Sequence, residues 1–68
     1  MDLVTDVKTV MFVGDYFTLI TTVTLEEKLR NEGELDEDFA IRIASAFMKD
    51  YYGFDVESFS NDIGIVEE

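Results

Sequence analysis

Two runs of hydrophobic and threonine residues, 10–13 and 16–23, are rich in β-branched and aromatic side chains, which is typical of β-strands. We predict two strands, over residues 3–13 and 16–25, that together form a β-hairpin. Gly14 and Asp15 lie between them, and glycine at the first central position predicts a two-residue type II′ turn. Glycine readily adopts the positive φ that this turn requires at that position.

The turn sets the predicted register of the hairpin, because it determines which strand positions lie opposite one another. The pairs that it predicts are Val13–Tyr16, Phe12–Phe17, Val10–Leu19 and Val4–Leu25. One face of the ribbon is then strongly apolar near the turn. The opposite face carries Met11, Val13, Tyr16, Ile20 and the threonines at positions 18, 22 and 24.

An acidic segment follows at residues 26–38, in which seven of the thirteen residues are Asp or Glu. Thr24 and Glu27 have the spacing of a capping box, and Gly33 is placed to end a helix. The segment therefore predicts a short helical turn after the hairpin. This turn competes with an extension of the second strand through Leu25.

Residues 37–52 have the helical period, because apolar side chains recur there at intervals of three and four residues. Asp36 is the predicted N-cap, and Gly53 is placed where a left-handed residue commonly ends a helix. The predicted apolar face comprises Phe39, Ala40, Ile43, Ala44, Phe47, Met48 and Tyr51. This arc is wider than a hairpin alone covers, so either the C-terminal segment or a partner covers the rest.

The last part of the chain, residues 54–68, fits two patterns. Val56, Phe59 and Ile63 have helical spacing, and Asp55 is a possible cap. Residues 60–62 have the composition of a turn, and residues 63–66 have that of a strand. We favour one or two short strands that extend the hairpin sheet, because three strands with a helix on one face bury a core that a lone hairpin cannot.

The predicted fold class is α+β, with an N-terminal antiparallel β-hairpin, one main amphipathic helix and C-terminal short strands that complete the sheet in a ββαβ-like order. The 68 residues form a single small acidic domain, 1–68. A chain of this length buries only about 60% of the surface that its unfolded form exposes. A large enclosed active-site cavity is therefore not expected.

The composition removes several kinds of chemistry. The chain has no Cys and no His, so thiolate catalysis, cysteine-based zinc sites and the commonest general base are excluded. Ser45, Ser58 and Ser60 have no histidine to activate them, and the four glycines form no phosphate-binding motif. We expect no catalytic residue, no cofactor and no metal site.

Carboxylates are the abundant reactive groups, since 16 of the 68 residues are Asp or Glu. Glu32, Glu34, Asp36 and Asp38 lie close enough in sequence to attract Ca²⁺ or Mg²⁺, but the EF-hand spacing is absent. Some carboxylate pair at glycosidase spacing is expected by chance at this density. A divalent-cation binder or a carboxylate enzyme is therefore the third-ranked hypothesis.

The net charge of −11 restricts the partners. The five basic residues are scattered, which disfavours direct contact with nucleic acid or an anionic membrane surface. The N-terminus lacks a basic signal-peptide region, and no apolar run has the length of a membrane helix. We expect a cytoplasmic protein, in the host cytoplasm if the chain is phage-encoded.

The leading functional hypothesis is a small non-enzymatic interaction module that binds a protein partner, with a basic partner as one alternative, and that forms a homo-oligomer, most simply a dimer. The alternative is an acidic nucleic-acid mimic, of the kind found among phage accessory proteins, that inhibits a basic nucleic-acid-binding protein. Two features motivate the candidate surface. One is tyrosine, which is enriched at protein interfaces, and the other is the acidic segment at residues 26–38. The candidate surface comprises Tyr16, Ile20, Glu32, Glu34, Asp36, Asp38, Tyr51 and Tyr52.

Overall fold

The fold is a three-stranded antiparallel sheet with one main helix packed on one of its faces. The computed structural model describes residues 6–66. Its elements are β1 (Asp6–Gly14), β2 (Thr18–Leu25), a single 3₁₀ turn (Glu27–Leu29), α1 (Asp36–Tyr52), α2 (Val56–Phe59) and β3 (Ser60–Val66). The strand order is β2-β1-β3, so β1 is central and β2 and β3 are the edges. The predicted α+β class is confirmed.

The hairpin register differs from the prediction by two residues. The observed pairs include Val13–Thr18, Phe12–Leu19, Val10–Thr21 and Asp6–Leu25. Because the difference is even, the strand side chains keep the faces that the sequence predicted. Val4, the predicted partner of Leu25, lies outside the described residues.

The predicted type II′ turn is also wrong, since Gly14 does not have a positive φ. Asp15 and Tyr16 form the turn, which is closed by a 2.9 Å hydrogen bond from the Gly14 N–H to the Phe17 carbonyl oxygen. A Cβ at position 14 would lie 2.2 Å from Cε1 of the Phe17 ring. Glycine is therefore needed there because the ring lies directly against the backbone, and this contact moves the turn one residue along the chain.

The core lies between the sheet and α1. Its buried side chains are Val10, Phe12, Val23, Leu25, Phe39, Ala40, Ala44, Met48 and Val56. The C-terminal segment covers part of the broad helix face, since Ile43 packs against this core together with Ile63 and Ile65 of β3. Phe47 and Tyr51, which the sequence places on the same face, stay largely exposed.

The predicted C-terminal end of α1 is confirmed, but its predicted N-cap is wrong. Asp36 is not the N-cap, because the helix begins at this residue and Leu35 holds the cap position without a side-chain bond. The Asp36 carboxylate instead lies 2.7 Å from the Arg30 guanidinium. Gly53 ends the helix in the left-handed conformation at φ 70°, as predicted. No helix within residues 6–66 is long and apolar enough to cross a membrane.

The predicted capping box is not formed. Thr24 lies within β2, which extends through Leu25. The 3₁₀ turn begins after Glu26, and no side chain caps it. Both alternatives that the sequence left open occur: the strand extends through Leu25, which is fully buried in the core, and a short helical turn follows at Glu27–Leu29.

The C-terminal segment contains both elements that its sequence allowed. Asp55 caps α2, since its carboxylate accepts hydrogen bonds from the Ser58 N–H at 3.3 Å and from the Ser58 hydroxyl at 2.8 Å. The predicted turn at residues 60–62 is wrong, because these residues belong to β3. Asn61 is an extra residue in the pairing of β3 with β1. Pairing with the central strand outweighs the local turn preference, and a bulge absorbs the mismatch.

We expect Gly14→Ala to destabilise the fold by about 1–3 kcal/mol, because the methyl group must displace a packed Phe17 ring. Alanine is ordinarily more favourable than glycine in a strand, so the sign of the effect identifies the clash. Urea unfolding measures it. In a Phe17→Ala background the same substitution should cost little, and an equal cost in both backgrounds would refute the steric explanation.

Candidate functional site

The predicted surface residues fall into two groups at opposite ends of the molecule. Tyr16 in the hairpin turn lies at the same end as Tyr51 and Tyr52, because α1 finishes beside the turn, and Ile20 follows on the edge strand. The acidic residues lie where α1 begins, at the other end of the sheet. These are Glu32, Glu34, Asp36 and Asp38. The structure therefore does not bring the eight predicted residues together.

The acidic segment is held by Arg42, which projects from α1. Its guanidinium binds both carboxylate oxygens of Glu34, at 2.9 Å each, and donates to the Leu29 carbonyl oxygen at 2.7 Å. The Asn31 N–H donates to the same carboxylate at 3.0 Å. A bidentate pair of this kind fixes the relative orientation of the two side chains and also compensates their charges.

Arg30 forms the second clamp from within the loop. It binds both carboxylate oxygens of Glu27, donates to the Glu34 carbonyl oxygen at 2.9 Å and lies 2.7 Å from the Asp36 carboxylate. The guanidinium groups of Arg30 and Arg42 lie 4.8 Å and 5.4 Å from the ring centre of Phe39. The buried ring is thus the platform on which both arginines rest.

These contacts change the titration of the segment. The bonds from Arg42 and from the Asn31 backbone lower the pKa of Glu34 from 4.5 to about 2. The bond from Arg30 lowers the pKa of Glu27, and the Ser58 bonds lower the pKa of Asp55. Each shift shows that the folded chain favours the ionised carboxylate.

Three of the seven carboxylates in the acidic segment are therefore paired with arginines of the same molecule. Glu27, Glu34 and Asp36 are committed to the two arginines. Glu32 and Asp38 remain exposed. Ionic partners eight residues apart, such as Glu34 and Arg42, depend on the folded loop and are not visible in the sequence.

The opposite end of the molecule is aromatic. Seven of the nine aromatic side chains gather there, and we call them the aromatic end. They are Tyr16, Phe17, Phe47, Tyr51, Tyr52, Phe54 and Phe59. Tyr16 is 98% exposed, Tyr51 is 71% exposed and Tyr52 is 63% exposed. Exposed aromatic rings at this density are unusual for a surface that faces only water.

Ring contacts organise the aromatic end into two clusters. In the first, Phe47 stacks on Tyr51 at 5.3 Å, and Tyr52 lies edge-on to both rings. In the second, Phe54 meets Phe17 edge-on at 5.5 Å and stacks on Phe59 at 5.7 Å. Such pairs hold one another in place, so a partner would meet rings that are already positioned.

An apolar groove of about 490 Å³ separates the two clusters. Its walls are Phe17, Leu19, Ile20, Thr21, Phe47, Met48, Tyr52 and Phe54. The groove runs beside the edge strand β2 and contains no charged side chain. Carboxylates flank it in the chain, since Asp15 precedes Tyr16 and Asp50 precedes Tyr51.

Sequence reasoning singled out the exposed tyrosines but missed Phe17, which joins the turn to the second cluster. The predicted register paired Phe17 with Phe12 inside the sheet. The sequence did offer one signal. Phe17 lies three residues after Gly14, and a glycine tolerates an aromatic ring packed against its backbone. The partner ring, Phe54, is 37 residues away and could not be inferred from local pattern.

The remaining hollows offer little chemistry. A polar groove of about 610 Å³ on the outer side of α1 is lined by charges of both signs, including Arg42, Lys49 and Asp55. Within residues 6–66 no group of three carboxylates is arranged to hold a metal ion. Comparison of the chain with protein-family models, with curated proteins and with solved structures finds no match.

The lowered pKa of Glu34 predicts a pH dependence. A folded-state pKa below the ordinary value stabilises the fold fully above about pH 4.5, and this contribution disappears as the pH falls towards 2. Glu34→Gln should therefore be less stable than the wild type at neutral pH and should converge with it near pH 2. Thermal unfolding between these limits measures the difference.

Glu32→Gln is the matched control, because it removes the same charge from an exposed carboxylate outside the arginine pairs. It should follow the wild-type pH profile. A Glu34→Gln profile that parallels the wild type at every pH would contradict a stabilising role for the Arg42 pair.

Proposed function

We propose that the chain is a small interaction module that acts by binding protein rather than by catalysis, and that it self-associates. The observation that carries the partner-binding part of this proposal is the aromatic end. Large apolar side chains are normally buried when a single chain can bury them. Here three tyrosines and Phe59 stay mainly exposed at the end of the molecule that holds an uncharged groove.

The chemistry of these residues fits protein recognition. Tyrosine and phenylalanine are enriched in the centres of protein interfaces, and tyrosine supplies a large contact area for few rotatable bonds. The stacked clusters restrict the rings before a partner arrives, which reduces the entropy lost on binding. The groove is an open surface feature rather than an enclosed cavity, so it suits an extended or protruding segment of a protein.

The charges around the aromatic end favour a basic partner. Asp15, Asp50 and Glu57 are exposed near the two clusters. Four of the five basic side chains are in ion pairs within residues 6–66, so their charge is already compensated. A partner that offers apolar side chains with Lys or Arg at the rim would gain both contact area and attraction.

The nucleic-acid mimic remains the alternative proposal, but its main motivating segment is weakened. Three carboxylates of residues 26–38 are paired with arginines, so they do not form a free row of negative charge. The two proposals differ in their response to salt. Charge mimicry weakens as ions screen the surface, whereas apolar association persists.

Affinity capture from a lysate of the source cells tests the proposal with three baits. The wild type is compared with Tyr51→Ala/Tyr52→Ala and with Leu35→Ala, a control that is 67% exposed at the opposite end. Washes at about 0.1 M and about 1 M salt change the screening length from about 10 Å to about 3 Å. Circular dichroism confirms that each bait is folded.

We expect proteins that the wild type and the Leu35→Ala bait retain at both salt concentrations and that the double variant loses by at least about tenfold, a difference of about 1.4 kcal/mol. Retention of the same proteins by all three baits would contradict a role for the aromatic end. Nucleic-acid-binding proteins that are held only at low salt, independently of the tyrosines, would favour the mimic instead.

A further inference from the structure

The face of the sheet opposite α1 is covered by no element of residues 6–66. Alternation along the three strands assigns eleven side chains to this open sheet face. They are Val7, Thr9, Met11, Val13, Thr18, Ile20, Thr22, Thr24, Asp62, Gly64 and Val66. Asp62 is the one charged residue among them, in a chain of which 31% is charged.

The open sheet face carries less charge than the solvent face of a sheet usually does. The solvent face of an antiparallel sheet ordinarily carries the polar and charged residues, and the helix side carries the apolar ones. In β1 the two charged residues, Asp6 and Lys8, lie on the helix side, whereas the open sheet face receives Val7, Met11 and Val13. The hydroxyls of Thr9 and Thr22 lie 3.2 Å apart across the strands and satisfy one another.

Gly64 is a second feature that the single chain does not explain. It lies in β3 beside Met11, has no positive φ, and a Cβ built on it would meet no atom of residues 6–66 within 4 Å. Neither backbone conformation nor packing therefore requires glycine here. Glycine inside a strand weakens it and often marks a place where another backbone or side chain approaches closely.

We propose that a second copy of the chain covers the open sheet face, so that two sheets pack back to back and Met11 of each copy fills the gap over Gly64 of the other. This inference deepens the self-association of the proposed function and rests on it. The contact is isologous, because the same patch of both copies supplies the projecting side chain and the gap that receives it.

Electrostatics select a second copy for this face. Two chains of charge −11 repel each other wherever their carboxylates meet. Among the paired strand residues, Asp62 is the one carboxylate on the open sheet face. Packed sheets lie about 10 Å apart, so the carboxylates of the two α1 helices, one outside each sheet, would stand on the order of 30 Å apart, several times the screening length of about 8 Å.

The aromatic end does not keep the carboxylates of two copies apart as the open sheet face does. Contact between two aromatic ends would bring Asp15, Asp50 and Glu57 of both chains together. A basic partner, conversely, gains no attraction from an uncharged sheet. The two uncovered surfaces therefore differ in the occupant that they favour.

The area available places the dimer contact among small interfaces. Three strands of seven to nine residues form a face of about 25 by 15 Å in projection, from their rise and spacing. With side-chain relief, two such faces bury about 1,200 Å², near the lower limit for specific interfaces. We therefore expect a reversible dimer that forms on the order of micromolar concentration or above.

Sedimentation equilibrium of the full chain tests the inference with Gly64→Val, Met11→Lys and a control, Ala46→Lys, whose added charge lies on the exposed outer side of α1. The wild type and the control should reach twice the monomer mass. Gly64→Val should raise the dimer dissociation constant at least about tenfold. The same change should raise the thermal stability of the dilute monomer, since valine is a better strand former than glycine.

Met11→Lys should also remain monomeric, because it places a charge in the centre of the contact. A wild type that stays monomeric up to about 1 mM would overturn the inference, as would a Gly64→Val chain that dimerises like the wild type. Loss of the dimer in Tyr51→Ala/Tyr52→Ala with retention in Gly64→Val would move self-association to the aromatic end. A monomeric wild type whose aromatic end still captures partners would leave the proposed function standing without this interface.

Discussion

One helix covers only one face of a three-stranded sheet, and the rest of this structure follows from that limit. Within residues 6–66 no second layer covers the other face. The buried core is accordingly a single seam between α1 and the inner side of β1 and β2. Apolar residues that the seam cannot accept remain on the open sheet face and at the aromatic end. The surface is thus divided into regions of different chemistry by the shortage of covering elements.

Charge is distributed in agreement with this division. Arg30 and Arg42 rest on the buried Phe39 ring and draw the acidic loop around the start of α1. The loop is therefore a folded cap whose carboxylates are partly neutralised, and it lies away from both apolar surfaces. If the loop carboxylates lay instead across the sheet, two copies could not approach each other there. The two arginines hold the loop carboxylates at the start of α1, and the open sheet face stays nearly uncharged.

The sequence predicted the element types and the faces of the strands because both depend on local periodicity. It did not predict the hairpin register, because Phe17 packs against Gly14 and against the distant Phe54 ring. It did not predict that the Asp36 carboxylate pairs with Arg30 instead of capping α1. Of the candidate surface, the tyrosines remain accessible, whereas Glu34 and Asp36 are taken by arginines that only the folded loop brings near. The missing information is tertiary in each case.

A methyl NMR dilution series tests most directly whether the uncovered sheet is an interface. As the concentration rises from micromolar to about 1 mM, we expect shifts that move together at methyl groups of the open sheet face, including those of Val7, Met11 and Val13. The shifts of the methyl groups of Leu19 and Met48, which line the apolar groove, should stay unchanged. Shifts confined to the groove, or spectra that do not change with concentration, would contradict the account.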